Sequence, residues 1–230
     1  MVSALEYLSR NPLLNIGMIV PVIRDTAKFL YVENDGVCFQ ETKSGAYMMS
    51  VSSYETGCRL LQMLPCEGMF TFNQEFMLYA FEAKVKYSIK LETYQAVYLN
   101  DKRLKVCDDI LVKELDISHF RIVKENYDVD VEADYLYERL EESEIFGGYA
   151  GSDLVGFVGT HAEGSIGILK VFDKFRRKGY GEALTSFMVN HQLAKNVVPY
   201  VQISVHNEAS LALVYKLGFE LSIDKIYWLF

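Results

Sequence analysis

The chain has 230 residues, half of them hydrophobic and 23% charged, with a formal net charge of −8. That balance supports one large or two small cored domains and excludes a disordered or collagen-like chain. The acidic excess argues against general nucleic-acid binding, which needs a basic face for phosphate. It is also unevenly spread: residues 1–106 hold 11 basic and 11 acidic side chains, and residues 107–230 hold 12 and 20. A domain boundary near Lys105–Asp109 follows. No apolar run reaches the roughly 18 residues of a membrane span. The N-terminus has no basic residue before Arg10, so no signal peptide is expected. Cys38, Cys58, Cys66 and Cys107 form no C-x-x-C, and the four histidines are scattered. This predicts four reduced, mostly buried thiols in a cytoplasmic protein, and no metal site.

In chain order, Ser3-x-x-Glu6 predicts a capping box and a short opening helix. Pro12 and Pro21 punctuate the next helical stretch. Phe29–Val32 and Val37–Gln40 read as strands joined through Asn34-Asp35-Gly36, a hairpin signal. Ala46–Val51 reads as a third strand. Ser52-x-x-Glu55 predicts a second capping box, opening a helix through Leu61–Leu64. Met69–Phe72 reads as a short strand, Gln74–Val85 as a helix and Thr93–Leu99 as a strand.

In the second half, Ile110–Leu115 reads as a strand, and His119–Tyr127 and Glu132–Glu142 as helices. Ile145–Tyr149, Leu154–Thr160 and Ser165–Val171 are strands separated by turn residues. From Gly179 to Asn196 the apolar positions Tyr180, Ala183, Leu184, Phe187 and Met188 follow a helical rhythm. Tyr200–Val205 is a strand, and Glu208–Leu217 a helix stopped by Gly218. Phe219–Leu221 and Ile226–Leu229 are expected to close the chain as a hairpin.

One segment carries chemistry. Val171–Gly181 ends a strand and opens a helix, with Arg176-Arg177-Lys178 beside Gly179 and Gly181. Glycines allow a tight turn that exposes successive N–H groups, and the helix start adds positive potential. This reads either as an anion site suited to a diphosphate or as a solvated basic loop. It is neither a Walker loop nor a Rossmann fingerprint. Twenty-six residues after Gly181 comes Asn207-Glu-Ala-Ser210, followed by Leu217-Gly218-Phe219.

With these two motifs, residues 107–230 resemble the GNAT superfamily of N-acetyltransferases. Arg176-x-x-Gly179-x-Gly181 matches that family's R/Q-x-x-G-x-G/A loop, and Asn207, Ser210 and Leu217-Gly218-Phe219 match its second motif. The resemblance implies an α/β (α+β) fold, a mixed and mostly antiparallel sheet flanked by helices, preceded here by a smaller α+β domain over residues 1–106. It implies acetyl-CoA or a related acyl-CoA as donor, with no metal. The pyrophosphate would lie on the loop of Arg176, Arg177, Lys178, Gly179, Tyr180 and Gly181. The pantetheine arm would run along the strand of Leu169 and Val171, with Asn207 and Ser210 across from it. The protein must then position an amine, deprotonate it and stabilise an oxyanion.

For the base, the family often places an acid near the turn between Thr160 and Ser165. Glu163 and His161 are the ionisable side chains there, and a polar hairpin turn is the alternative reading. For the acid, many members carry a tyrosine four residues before the Gly-Phe pair. Val214 holds that position here. Tyr215 follows one residue later, about 100° further round the helix, so the role does not transfer directly to it. Glu125, Asp128, Asp130, Glu132, Asp134, Glu138, Glu141, Glu142 and Glu144, with Arg139 as the one base among them, form either an acidic rim that attracts a cationic amine or a solvated helix face. The expected partner is a small-molecule amine, with no nucleic acid and no membrane; a homodimer stays open. Residues 1–100 repeat much of the second domain's element order without its loop. They read as a degenerate, non-binding copy or as an unrelated accessory domain. An acyl-CoA sensor without transferase chemistry is the competing class, and a protein-modifying acetyltransferase a third reading.

Overall fold

The computed structural model describes residues 2–127 and 133–230. Helices α1 (Ala4–Leu8) and α2 (Pro12–Ile23) precede strands β1 (Ala27–Glu33), β2 (Gly36–Glu41) and β3 (Tyr47–Val51). Helix α3 (Tyr54–Leu61), β4 (Phe70–Phe72), a 3-10 turn at Glu75–Met77, α4 (Leu78–Lys84) and β5 (Lys90–Val97) follow. Next come β6 (Leu111–Glu114), a 3-10 turn at Ile117–His119, α5 (Phe120–Asn126), α6 (Ala133–Glu141), β7 (Ile145–Ala150), β8 (Asp153–Thr160) and β9 (Ile166–Val171). A 3-10 turn at Asp173–Phe175, α7 (Tyr180–Ala194), β10 (Tyr200–Ser204), α8 (Glu208–Lys216) and β11 (Glu220–Leu229) complete the chain. Among the described residues no helix is long and apolar enough to cross a membrane.

The chain divides into two compact units: unit one takes the residues up to Val97 with Gln202–Val214 and Phe219–Phe230, and unit two takes Tyr98–Val201 with Tyr215–Gly218. In unit one the strand order is β1-β2-β3-β4-β11-β5. All neighbours are antiparallel except β3 and β4, which run parallel with Tyr47 opposite Phe70 and Met49 opposite Phe72. Its core joins Met49, Leu60, Phe70, Phe72, Phe81 and Tyr227. Phe72 stacks on Phe81 at 4.1 Å between ring centroids, a geometry that adds about 0.5–1.5 kcal/mol beyond area burial. In unit two the order is β10-β9-β8-β7-β6. Neighbours are again antiparallel except β9 and β10, which run parallel and meet at Ile166 and Val201. A separate core of Leu115, Val123, Leu136, Leu140, Phe157 and Ile168 packs α5 and α6 on this sheet.

The predicted capping box forms: Ser3 Oγ accepts from the Glu6 N–H and the Glu6 carboxylate accepts from the Ser3 N–H. Three expectations need correction. The cap of α3 is Ser53, whose Oγ accepts from the Thr56 N–H, because Ser52 spends its N–H and hydroxyl on the Asp35 carbonyl. The closing hairpin is one strand, β11, with an irregular register against β5 between Leu221 and Lys225. There Ser222 Oγ accepts from the Gln95 N–H and donates to the Asp224 carbonyl, so the chain bulges instead of turning. All four cysteines are free, yet only Cys38 is buried, and Cys66 and Cys107 are exposed. The expected start of α6 at Glu132 lies outside the described residues.

Candidate functional site

The predicted anion loop in unit two is built from backbone, not from side chains. Arg177 (φ 61°) and Gly179 (φ 85°) both take left-handed conformations, which turn the chain sharply into α7. Gly179 caps α7 with no side-chain hydrogen bond, so the first N–H groups of the helix are left without the acceptor that Ser or Asp would supply. A Cβ on Gly179 would meet nothing within 4 Å, and one on Gly181 would meet only Val171 Cγ2 at 3.7 Å. Neither glycine is there to make room for the protein's own atoms. Both face open space beside the end of β9, where a ligand can approach the backbone.

The cations of the loop are exposed. Arg176 pairs with Asp173 at 3.0 Å, and Lys178 lies 5.6 Å from the Phe175 ring centroid. Glu182, the acid in the first turn of α7, is matched by Lys216 at 2.5 Å, which offsets its negative charge at the helix start. Among the described residues no group of three His, Cys, Asp or Glu could hold a metal ion.

Strand β9, which carries Leu169 and Val171, is kinked. Gly167 pairs with Gly159 and Lys170 with Phe157, so β9 holds one residue more than β8 across the same stretch. Ile168 absorbs the difference at φ 50°. A β-branched residue in the left-handed region is a genuine outlier that surrounding structure must hold in place. Such a bulge takes backbone groups out of the ladder and bends the strand locally. Nothing in the sequence signals it.

Glu163 and His161 lie in the turn between β8 and β9, closed by Gly164 (φ 101°). Glu163 is buried, and its carboxylate accepts from Ser165 Oγ at 2.6 Å. Its charge acts on Tyr127 and Tyr135. Burial, then the Glu163 charge, pushes the Tyr127 phenol up to about 12; the same two causes push Tyr135 up strongly. His161 Nδ1 lies 2.7 Å from the Tyr135 hydroxyl. Burial holds the imidazole below its ordinary value, and Arg139 adds to that, while Glu163 opposes it. The turn thus brings a buried carboxylate, a neutral imidazole and two phenols together. The two tyrosines, on α6 and at the end of α5, carry no sequence signal because their placement is purely tertiary.

The second motif has ordinary local duties. Asn207 Oδ1 caps α8 by accepting from the Ser210 N–H at 3.0 Å, and its amide NH2 remains a donor. Val214 is buried, whereas Tyr215 is 81% exposed. Gly218 (φ 81°) ends the helix, with its N–H on the Tyr215 carbonyl and the Phe219 N–H on the Val214 carbonyl, the Schellman arrangement. Of the acidic stretch, Asp134, Glu138, Glu141 and Glu142 are exposed. Glu125 pairs with Arg121, and Glu142 with Arg139. Asp128, Asp130 and Glu132 lie outside the described residues.

A family model described as FR47-like protein matches residues 145–229. No curated protein matches in sequence. Among solved structures, a Drosophila protein superposes with a TM-score of 0.64 at 12% identity, covering 98% of this chain and 89% of that one. A GCN5-related N-acetyltransferase-like protein from Streptococcus suis has a TM-score of 0.59 at 14% identity, covering 99% of both chains. An acetyltransferase of the GNAT family from Novosphingobium aromaticivorans has a TM-score of 0.60 at 10% identity, covering 96% of both. At such identities the likeness is one of fold: the chain has the GNAT fold.

Proposed function

We propose that the protein is an acyl-CoA-dependent N-acyltransferase that moves an acetyl group to a primary amine of a small, cationic acceptor. The observation that carries this reading is the uncapped start of α7, reached through left-handed Arg177 and Gly179, with Gly181 open beside Val171. Residues 107–230 would carry the transfer and residues 1–106 a degenerate copy without a ligand. Four free thiols suit a reducing, cytoplasmic setting.

The backbone N–H groups from Arg177 to Gly181 would hold the diphosphate, and the lysine and arginines around them would add field rather than fixed contacts. The bulge at Ile168 would orient the thioester carbonyl. Glu163 would take the proton of the acceptor ammonium; its buried site excludes bulk water, and only one of its oxygens is tied to Ser165. Tyr215 points into solvent and would not protonate the leaving thiolate. The thioester is already activated, so the chain supplies positioning and proton transfer.

Acetyl transfer measured with acetyl-CoA across a panel of cationic, neutral and anionic amines tests the reading. Thiol release that depends on a cationic amine supports it. Tight acetyl-CoA binding with no transfer to any amine would instead favour an acyl-CoA sensor.

A further inference from the structure

His161 has a role distinct from that of a base. Its Nδ1 faces the Tyr135 hydroxyl at 2.7 Å, and burial together with the Glu163 charge keeps that phenol protonated. Nδ1 is the one acceptor the phenol finds among the described residues, so the O–H points at Nδ1 and the ring proton belongs on Nε2. The Nε2 edge lies against β9: a Cβ at Gly167 would sit 2.3 Å from Nε2 and 2.4 Å from Cδ2. The missing side chain of Gly167 therefore leaves the space in which the imidazole lies, and the next residue is the kinked Ile168. Among the described residues Nε2 has no hydrogen-bond partner.

We propose that Tyr135 is a positioning residue that fixes His161 as the Nε2–H tautomer, making His161 a hydrogen-bond donor held beside the kink of β9. The groups facing the ring from the elements around it are Glu163 in its own turn and Tyr135 and Arg139 on α6. Arg139 and burial keep the ring neutral, and a neutral ring whose Nδ1 is already an acceptor has one function left, donation from Nε2. Resting on the acyltransferase reading, that donor would meet the oxygen on which charge develops as the amine attacks, leaving proton removal to Glu163.

The test is long-range proton–nitrogen NMR of 15N-histidine-labelled full-length protein, with His161 assigned by the signal lost in His161→Gln. At neutral pH, Nδ1 is expected to be pyridine-type and Nε2 pyrrole-type. In Tyr135→Phe the tautomers should mix, and the ring should protonate at higher pH, because a bond favouring the neutral form is gone. Alongside, Tyr135→Phe should lower kcat for acetyl transfer about tenfold, below the 10²–10³ of losing a whole oxyanion donor, with acetyl-CoA affinity unchanged. Gly167→Ala should displace the ring and mix the tautomers in a protein whose Tyr135 is intact. A pyrrole-type Nδ1 or an imidazolium at neutral pH in the unaltered protein overturns the inference. So does a tautomer indifferent to Tyr135→Phe. An absence of acetyl transfer to any amine overturns the catalytic use of the donor and the acyltransferase reading, while the spectrum still decides the tautomer.

Discussion

The two units solve the same junction in opposite ways. In unit one, β1-β2-β3-β4 runs antiparallel, antiparallel, parallel, and β3 leads into α3; in unit two, β7-β8-β9-β10 repeats those relations and β9 leads toward α7. Unit one closes its junction with its own side chains. Gln74 accepts from the Val51 N–H at 2.8 Å and donates to Ser50 Oγ at 3.1 Å. Ser53 caps α3, and β3 pairs with β4 over residues 47–49. Unit two leaves the same places open: β9 and β10 meet at one residue pair among the described residues, and α7 starts uncapped. A backbone donor left without a protein partner is costly unless water or a ligand takes it. The same strand relations are thus closed by side chains in unit one and left open in unit two. What separates them is a glutamine and a serine against glycines.

The largest effect is expected at Glu163, the buried carboxylate of the turn between β8 and β9. Glu163→Gln should lower kcat/KM for acetyl transfer by about 10²–10⁴-fold, the usual worth of a general base, with acetyl-CoA binding retained. Activity within tenfold of the unaltered protein would move the base elsewhere.

The glycines in the first turns of α3 and α7 sharpen the comparison next. Gly181→Val should weaken acetyl-CoA binding at least tenfold, about 1.4 kcal/mol. Gly57→Val should leave binding alone and cost about 1–3 kcal/mol of stability by overpacking, because its Cβ would strike Met77 Sδ at 2.3 Å. Calorimetry and urea unfolding on both variants read the two effects separately.

Tyr215→Phe should cost less than about tenfold in kcat, well short of a lost general acid, because the side chain is 81% exposed. A hundredfold loss in steady-state kcat at unchanged donor affinity would return the tyrosine to the mechanism.

The smallest effects are electrostatic. Glu138 and Glu141 are exposed and belong to unit two. Reversing both to lysine should reduce kcat/KM for a cationic amine, and added salt should do likewise, since screening acts beyond about 10 Å at 0.1 M. A kcat/KM indifferent to salt would make this face a solvated surface. His161 and His191 are both held low by burial. The unfolded chain therefore binds more protons below about pH 6.5, and stability should fall as pH drops through that value toward the folded pKa. His161→Gln should flatten part of that slope in urea midpoints; a slope unchanged by the substitution would contradict it.

How much of this was legible in sequence follows from where each signal lives. The turn into α7 is legible because its signals are local: glycines and a strand-to-helix transition share eleven residues. The capping of α1 was readable for the same reason. The kink at Ile168 was not, because a strand register slip is imposed by the partner strand and an isoleucine gives no hint of a left-handed backbone. Tyr135 was hidden among the acidic residues of α6, since only tertiary packing brings it to His161. The bulge in β11 reads as a turn in sequence because Ser222 holds it by accepting from the Gln95 N–H, a residue more than a hundred positions away. Gln74 looked like the start of a helix, yet its side chain is what closes unit one.

The central claim is that one junction is open and the other shut. Calorimetric titration of the full chain with acetyl-CoA tests it most directly through stoichiometry. One acetyl-CoA per chain is expected, with affinity at least tenfold weaker in Gly181→Val and unchanged in Ser53→Ala. Two molecules per chain, no binding at all, or equal affinity in Gly181→Val would contradict it.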